Sequence, residues 1–141
     1  TALLALAGIR APQSGEVATA AAGYTVTDVH TKLIDPGSEA LFAAEADLPT
    51  TEEGWRAVEA AAQKMVDAAG LLQTAPRLKD HSDWLRISKA VEDAARQSAL
   101  AARSRDSEAL QIADGAFLAQ CEDCHKIYRD VGGGMMANPD K

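Results

Sequence analysis

Apolar side chains recur along this chain at alternating intervals of three and four residues, the period of a helix with one buried face. No useful stretch after residue 25 alternates as a strand would. The first helical segment spans roughly Thr27 to Ala46, with Val29, Leu33, Ile34, Leu41 and Phe42 as apolar positions. Pro36 interrupts it. A proline inside a helix removes a backbone hydrogen bond and clashes with the preceding turn, so a kink, or two short helices meeting at Asp35-Pro36-Gly37, is expected. The second segment spans roughly Thr51 to Leu72, where Trp55, Val58, Ala62, Met65, Ala69 and Leu72 recur at spacings 3, 4, 3, 4, 3. Thr50 and Glu53 match the S/T-x-x-E capping box, which makes Thr50 the expected N-cap; Gly70 and Pro76 mark the end.

The third segment spans roughly Ser82 to Arg103. Trp84, Ile87, Val91 and Ala94 form its stripe, which continues onto the small residues Ser98 and Ala101. Ser98 is a flaw in that pattern, which a serine relieves by returning its hydroxyl to the preceding turn. The fourth spans roughly Ser107 to Arg129, after a turn at Ser104-Arg105-Asp106, with Leu110, Ala113, Phe117, Cys121, Cys124 and Tyr128 on one face. Helices joined by short connections predict an all-α protein, an antiparallel up-down four-helix bundle, an architecture that builds cofactor sites between facing helices.

Composition agrees with close-packed helices. Of 141 residues only 4% are aromatic, and alanine is abundant. The organisation expected is one four-helix domain over residues 26–130, an N-terminal extension over 1–25 and a flexible C-terminal tail over 131–141 that holds Gly132-Gly133-Gly134 and Pro139. The apolar run Ala2-Leu3-Leu4-Ala5-Leu6-Ala7 is too short to span a membrane and reads as an export-signal remnant or a docking tail. A formal net charge of −7 argues against nucleic acid and suits a partner with a basic docking patch.

The chemistry concentrates in Cys121-Glu122-Asp123-Cys124-His125, a C-x-x-C-H run that contains both cysteines of the chain. The pattern reads as covalent attachment of one haem c: each thiol forms a thioether to a vinyl group, and the histidine ligates iron from the same helical turn. The competing readings are a redox dithiol, which belongs beside a βαβ unit, and half of a zinc site, which needs a second ligand cluster. The other histidines, His30 and His81, lie apart in sequence, and there is no second cysteine pair. No paired acid and base, nucleophile or second metal site suggests an enzyme.

A helical bundle carrying Cys121-Glu122-Asp123-Cys124-His125-Lys126-Ile127-Tyr128-Arg129 at the end of its last helix resembles the class II c-type cytochromes, the cytochrome c-prime group and its six-coordinate relatives, over roughly residues 26–130. The resemblance implies that Cys121 and Cys124 carry the haem, that His125 is the proximal ligand, and that Tyr128 and Arg129 lie beside the haem. It implies export to the periplasm, and either electron transfer or binding of nitric oxide or carbon monoxide. It also implies association as a homodimer, while the N-terminal segment offers another reading, docking as a haem subunit of a larger complex.

The sixth iron position separates these modes. Six-coordinate relatives use a methionine of the first helix; this chain has His30 at about that depth, and imidazole is a good iron ligand. With His30 the iron is bis-histidine ligated, its potential is low, and the protein carries electrons. With Val29 or Leu33 over the iron instead, the site is open to gases. Met65 on the second-helix seam reads as packing, Met135 and Met136 would have to loop around the haem edge, and His81 reads as part of a capping turn.

Overall fold

The computed structural model describes residues 21–74, 77 and 82–128. Among them there is no strand, and the helices are α1 (Val26–Val29), a π-helical turn (His30–Ile34), α2 (Asp35–Ala46), α3 (Glu52–Leu72), α4 (Ser82–Ser104) and α5 (Ser107–Tyr128). The first three pieces follow one another without a break and form the first helix of the bundle. That helix packs on α3, α3 on α4 and α4 on α5, and α5 closes the ring onto α2. The expected four-helix bundle is therefore the fold. No helix among the described residues is long and apolar enough to cross a membrane.

The interior follows the sequence stripes. Leu41, Val58, Ala62, Met65, Ile87, Val91, Leu110 and Phe117 form the main core, and Ala94, Ala95, Ala101 and Ala102 let α4 approach its neighbours closely. A second cluster at one end joins Val26, Val29, Leu71, Leu72 and Trp84. Trp84 is placed there by its indole N–H, which donates to the Leu72 carbonyl at 2.7 Å. Residues 21–25, assigned by the sequence to the extension, pack on the same cluster through Ala21 and Tyr24. The buried Arg77 clamps them down: its guanidinium donates to the carbonyls of Leu71 (2.8 Å), Tyr24 (2.8 Å) and Ala22 (3.2 Å). A cation thereby meets the carbonyl-rich end of α3, where the helix dipole favours it.

The first helix differs from expectation at both its start and its middle. Thr25 is its N-cap, in a capping box with Asp28: the Asp28 N–H donates to Thr25 Oγ1 (3.1 Å) and the Thr25 N–H to Asp28 Oδ2 (3.0 Å). Lys32 beside it, then the Thr25 donors, hold the Asp28 carboxyl down at about 2. Pro36 does not break the helix. The turn before it widens to a π turn, in which the Asp35 N–H donates to the His30 carbonyl, five residues back. Pro36 then falls in the first turn of α2, where a missing N–H costs nothing.

A second correction concerns α3. Its N-cap is Thr51, not Thr50: Thr51 Oγ1 accepts from the Gly54 N–H at 3.0 Å, and Gly54 stands where a capping-box glutamate would. Between α4 and α5 the chain turns on Arg105 at φ 54°, with the Asp106 N–H returned to the Ala101 carbonyl at 2.9 Å. This αL closure leaves Asp106 to cap α5 through the Ala109 N–H at 2.9 Å. Ser98 does more than satisfy itself. Its hydroxyl donates at 2.7 Å to Oδ1 of Asp114, a fully buried carboxylate that the sequence stripes passed over. Burial pushes the Asp114 carboxyl above its ordinary range, against the opposing effect of the Ser98 hydroxyl.

Gly37 sets how closely the first helix approaches α3. A Cβ there would stand 2.5 Å from Met65 Sδ and 3.0 Å from Cγ, and Met65 is fully buried. Gly37→Ala gains about 1 kcal/mol of helix propensity but overpacks the core at a cost of about 1–3 kcal/mol. Net destabilisation is expected, read as a lower urea midpoint with unchanged slope; a midpoint above that of the parent would show that the contact is not tight.

Candidate functional site

The site forms where the first and last helices part. The first helix meets α5 through Asp35–Ala46; its earlier pieces, Val26–Ile34, pack on α3 instead. The slot left between them is narrow, with a cavity volume of about 40 Å³, and opens in part to solvent. Its walls are almost wholly apolar, from Val26, Ile34, Leu72, Trp84 and Val91, and its chemistry-bearing members are His30, Cys121, Cys124 and His125. A wider open groove between α4 and α5, with Leu100 and Ile112 on its rim, has neither histidine nor cysteine in its lining.

Helix periodicity selects His30 for the slot. Val26, His30 and Ile34 line it at four-residue intervals, whereas neither the fully buried Val29 nor Leu33 belongs to its lining. Across the slot stands His125, in the last turn of α5. The two imidazole rings face each other with centroids 5.7 Å apart and planes inclined by 40°. Two metal–imidazole bonds of about 2 Å, with the ring radii added, span roughly 6 Å. The ring spacing is therefore close to that of two imidazoles sharing one metal ion.

The cysteines stand on the same wall, half-buried and packed against the main core, and neither is in a disulfide. Burial, then the neighbouring Cys124 and Glu122, pushes the Cys121 thiol up from 9.0 to about 12, and burial pushes Cys124 up as well. That is the reverse of a redox dithiol, whose nucleophilic cysteine sits at a helix N-terminus or beside a cation with its pKa lowered. The pair occupies the C-terminal end of α5, where the dipole disfavours thiolate. Nor does a protein-only metal site assemble: among the described residues no group of three or more His, Cys, Asp or Glu could hold a metal ion. Two facing imidazoles suffice only where a macrocycle supplies the remaining ligands. Two thiols, two neighbouring imidazoles and an apolar lining are the residues that a covalently attached haem would require.

Asp35 is the site residue that sequence reasoning missed. Its Oδ1 lies 3.0 Å from His30 Nδ1 without completing a hydrogen bond; that nitrogen is buried and has no other partner. The signal was present in Pro36, whose consequence is the π turn that brings Asp35 over the ring. Tyr128, expected beside the haem, packs edge-on against Trp84, with centroids 5.0 Å apart and planes at 83°, at the end of the slot. Met65 is core, as expected. Arg129, His81, Met135 and Met136 lie outside the described residues. Comparisons with protein-family models, with curated proteins and with solved structures returned no match.

The raised thiol gives a pH signature in the haem-free chain. The folded state keeps the Cys121 proton where the unfolded state has lost it, so stability is full below the ordinary thiol value and falls as pH rises from 9.0 towards 12. Denaturant midpoints across that range should decline for the parent and decline less for Cys121→Ser; parallel declines would place Cys121 in contact with water.

Proposed function

We propose that this chain is a mono-haem c-type cytochrome that carries electrons, with iron ligated by His125 and His30. The observation that carries this reading is the opposition of the two imidazoles at 5.7 Å across a slot walled by Cys121 and Cys124. Bound there, haem supplies a one-electron iron couple whose potential the protein tunes through ligands, burial and hydrogen bonds. The chain's own part is to hold. Cys121 and Cys124 would hold the haem covalently, His125 and His30 would ligate its iron, and Val26, Ile34, Leu72, Trp84 and Val91 would give it an apolar surround.

The open-site alternative requires an apolar side chain of the first helix over the iron. Val29 and Leu33, the residues for that role, are outside the lining of the slot, and His30 is within it. A closed, rigid site suits electron transfer, since little has to rearrange when the charge changes. A periplasmic location goes with this reading, because the resembling family attaches its haem after export. With a formal net charge of −7, the chain suits a redox partner that presents a basic patch.

Optical spectra of the purified haem protein test the proposal. Low-spin bands in both ferric and ferrous forms, with a ferrous spectrum indifferent to carbon monoxide, are expected. His30→Ala should convert the ferrous form to high spin and open it to the gas. A high-spin parent that binds carbon monoxide promptly, or a His30→Ala variant spectrally identical to the parent, would overturn it.

A further inference from the structure

The π turn does more than accommodate a proline. Around an α-helix, residues five apart are separated by about 140° and cannot touch. The widened turn joins the Asp35 N–H to the His30 carbonyl and brings the side chains of these two residues together, with Asp35 Oδ1 3.0 Å from His30 Nδ1. The carboxylate is not committed to the nearby cation: Lys32 Nζ sits 2.8 Å from Asp28 Oδ1, on the capping box. The His30 ring is largely enclosed, with 13% of its side chain exposed, and Nδ1 has no other partner. Its remaining nitrogen, Nε2, is the one available to the slot.

We propose that Asp35 is a positioning residue for His30, a carboxylate set over the imidazole by the Pro36-induced π turn, which fixes the ring with Nε2 towards His125 and strengthens it as an iron ligand. The inference rests on the electron-carrier reading above. A metal-bound histidine that donates its other N–H to a carboxylate is held in one tautomer and becomes more basic. Partial negative charge on the imidazole favours ferric over ferrous iron and so lowers the reduction potential. Asp35 thus sets both how firmly the sixth position is closed and where the couple lies. The 3.0 Å separation is within hydrogen-bond range, so only the direction of the Nδ1–H has to change for the bond to form.

The test uses the full haem-loaded chain as parent, Asp35→Asn, Pro36→Ala and His30→Ala, with spectroelectrochemical midpoint potentials and rates of carbon monoxide entry into the ferrous form. Asp35→Asn keeps the shape and removes the charge. It should remain low-spin, shift the potential to more positive values, and admit carbon monoxide on the order of 10-fold faster than the parent. Pro36→Ala restores the N–H and lets an ordinary α-helix carry Asp35 away from the ring, so it should move both readouts in the same direction with the carboxylate still present. Parent-like potential and gas entry in both variants would overturn the role of Asp35 while leaving bis-histidine ligation intact. A high-spin parent, or no effect of His30→Ala, would instead sink the ligation itself, and the inference with it.

Discussion

Pro36 brings no N–H to the helix, and its ring occupies the space that an α-helical carbonyl four residues earlier would take. The chain could end the helix there, but the apolar positions on either side of the proline belong to one buried face, and ending it would forfeit their packing. The turn widens instead, and the helix runs on. Everything at the site inherits this choice. Because the π turn begins at His30, it determines which residues before it face the slot and which residue after it lies over the imidazole. The whole first helix packs on α3, but only its later part also meets α5, and the slot is the wedge left between its early part and α5. The Thr25–Asp28 box and the Arg77 clamp hold the entry to this helix, so the widened turn follows directly on two firm anchors.

Much of this was legible without coordinates. A period of three and four residues reports a buried face, and the stripes of α3, α4 and α5 emerged within a residue or two because burial of that face dominates their energetics. The site was legible where a motif carries its own chemistry: Cys121, Cys124 and His125 lie on the inward stripe of the last helix, so their place in the bundle followed from Leu110 and Phe117. His30 was harder. Its face depends on helix register, and the neighbouring Val29 and Leu33 offered equally plausible stripes.

What stayed hidden depends on which hydrogen bonds the backbone chooses, and hydrophobic pattern does not encode that choice. A proline signals that one bond is lost; it does not say whether the helix kinks, ends or widens, so Asp35 could not be placed over His30. The cap of α3 shows the same limit on a smaller scale. Thr50 and Thr51 both have the right side chain, and the Gly54 N–H, which donates to Thr51 Oγ1, decides between them. Arg77 and Asp114 were invisible for another reason. Charged residues outside the stripes read as surface, and only their partners, carbonyls at a helix end and a serine on the facing helix, explain their burial.

The Ser98–Asp114 bond also constrains how α4 and α5 can sit on each other. Stripes of alanine are nearly self-similar, and two such helices could slide past one another by a turn, about 5.4 Å, with little change in apolar burial. Asp114 forbids the slip. Moved by one turn it would face an alanine rather than the Ser98 hydroxyl, and a buried carboxylate without a donor is costly. Seven residues further along the same helix stands Cys121, and eleven residues further His125. One polar pair deep in the bundle therefore acts as a detent, and the ring opposite His30 keeps its height because the shaft that carries it cannot creep.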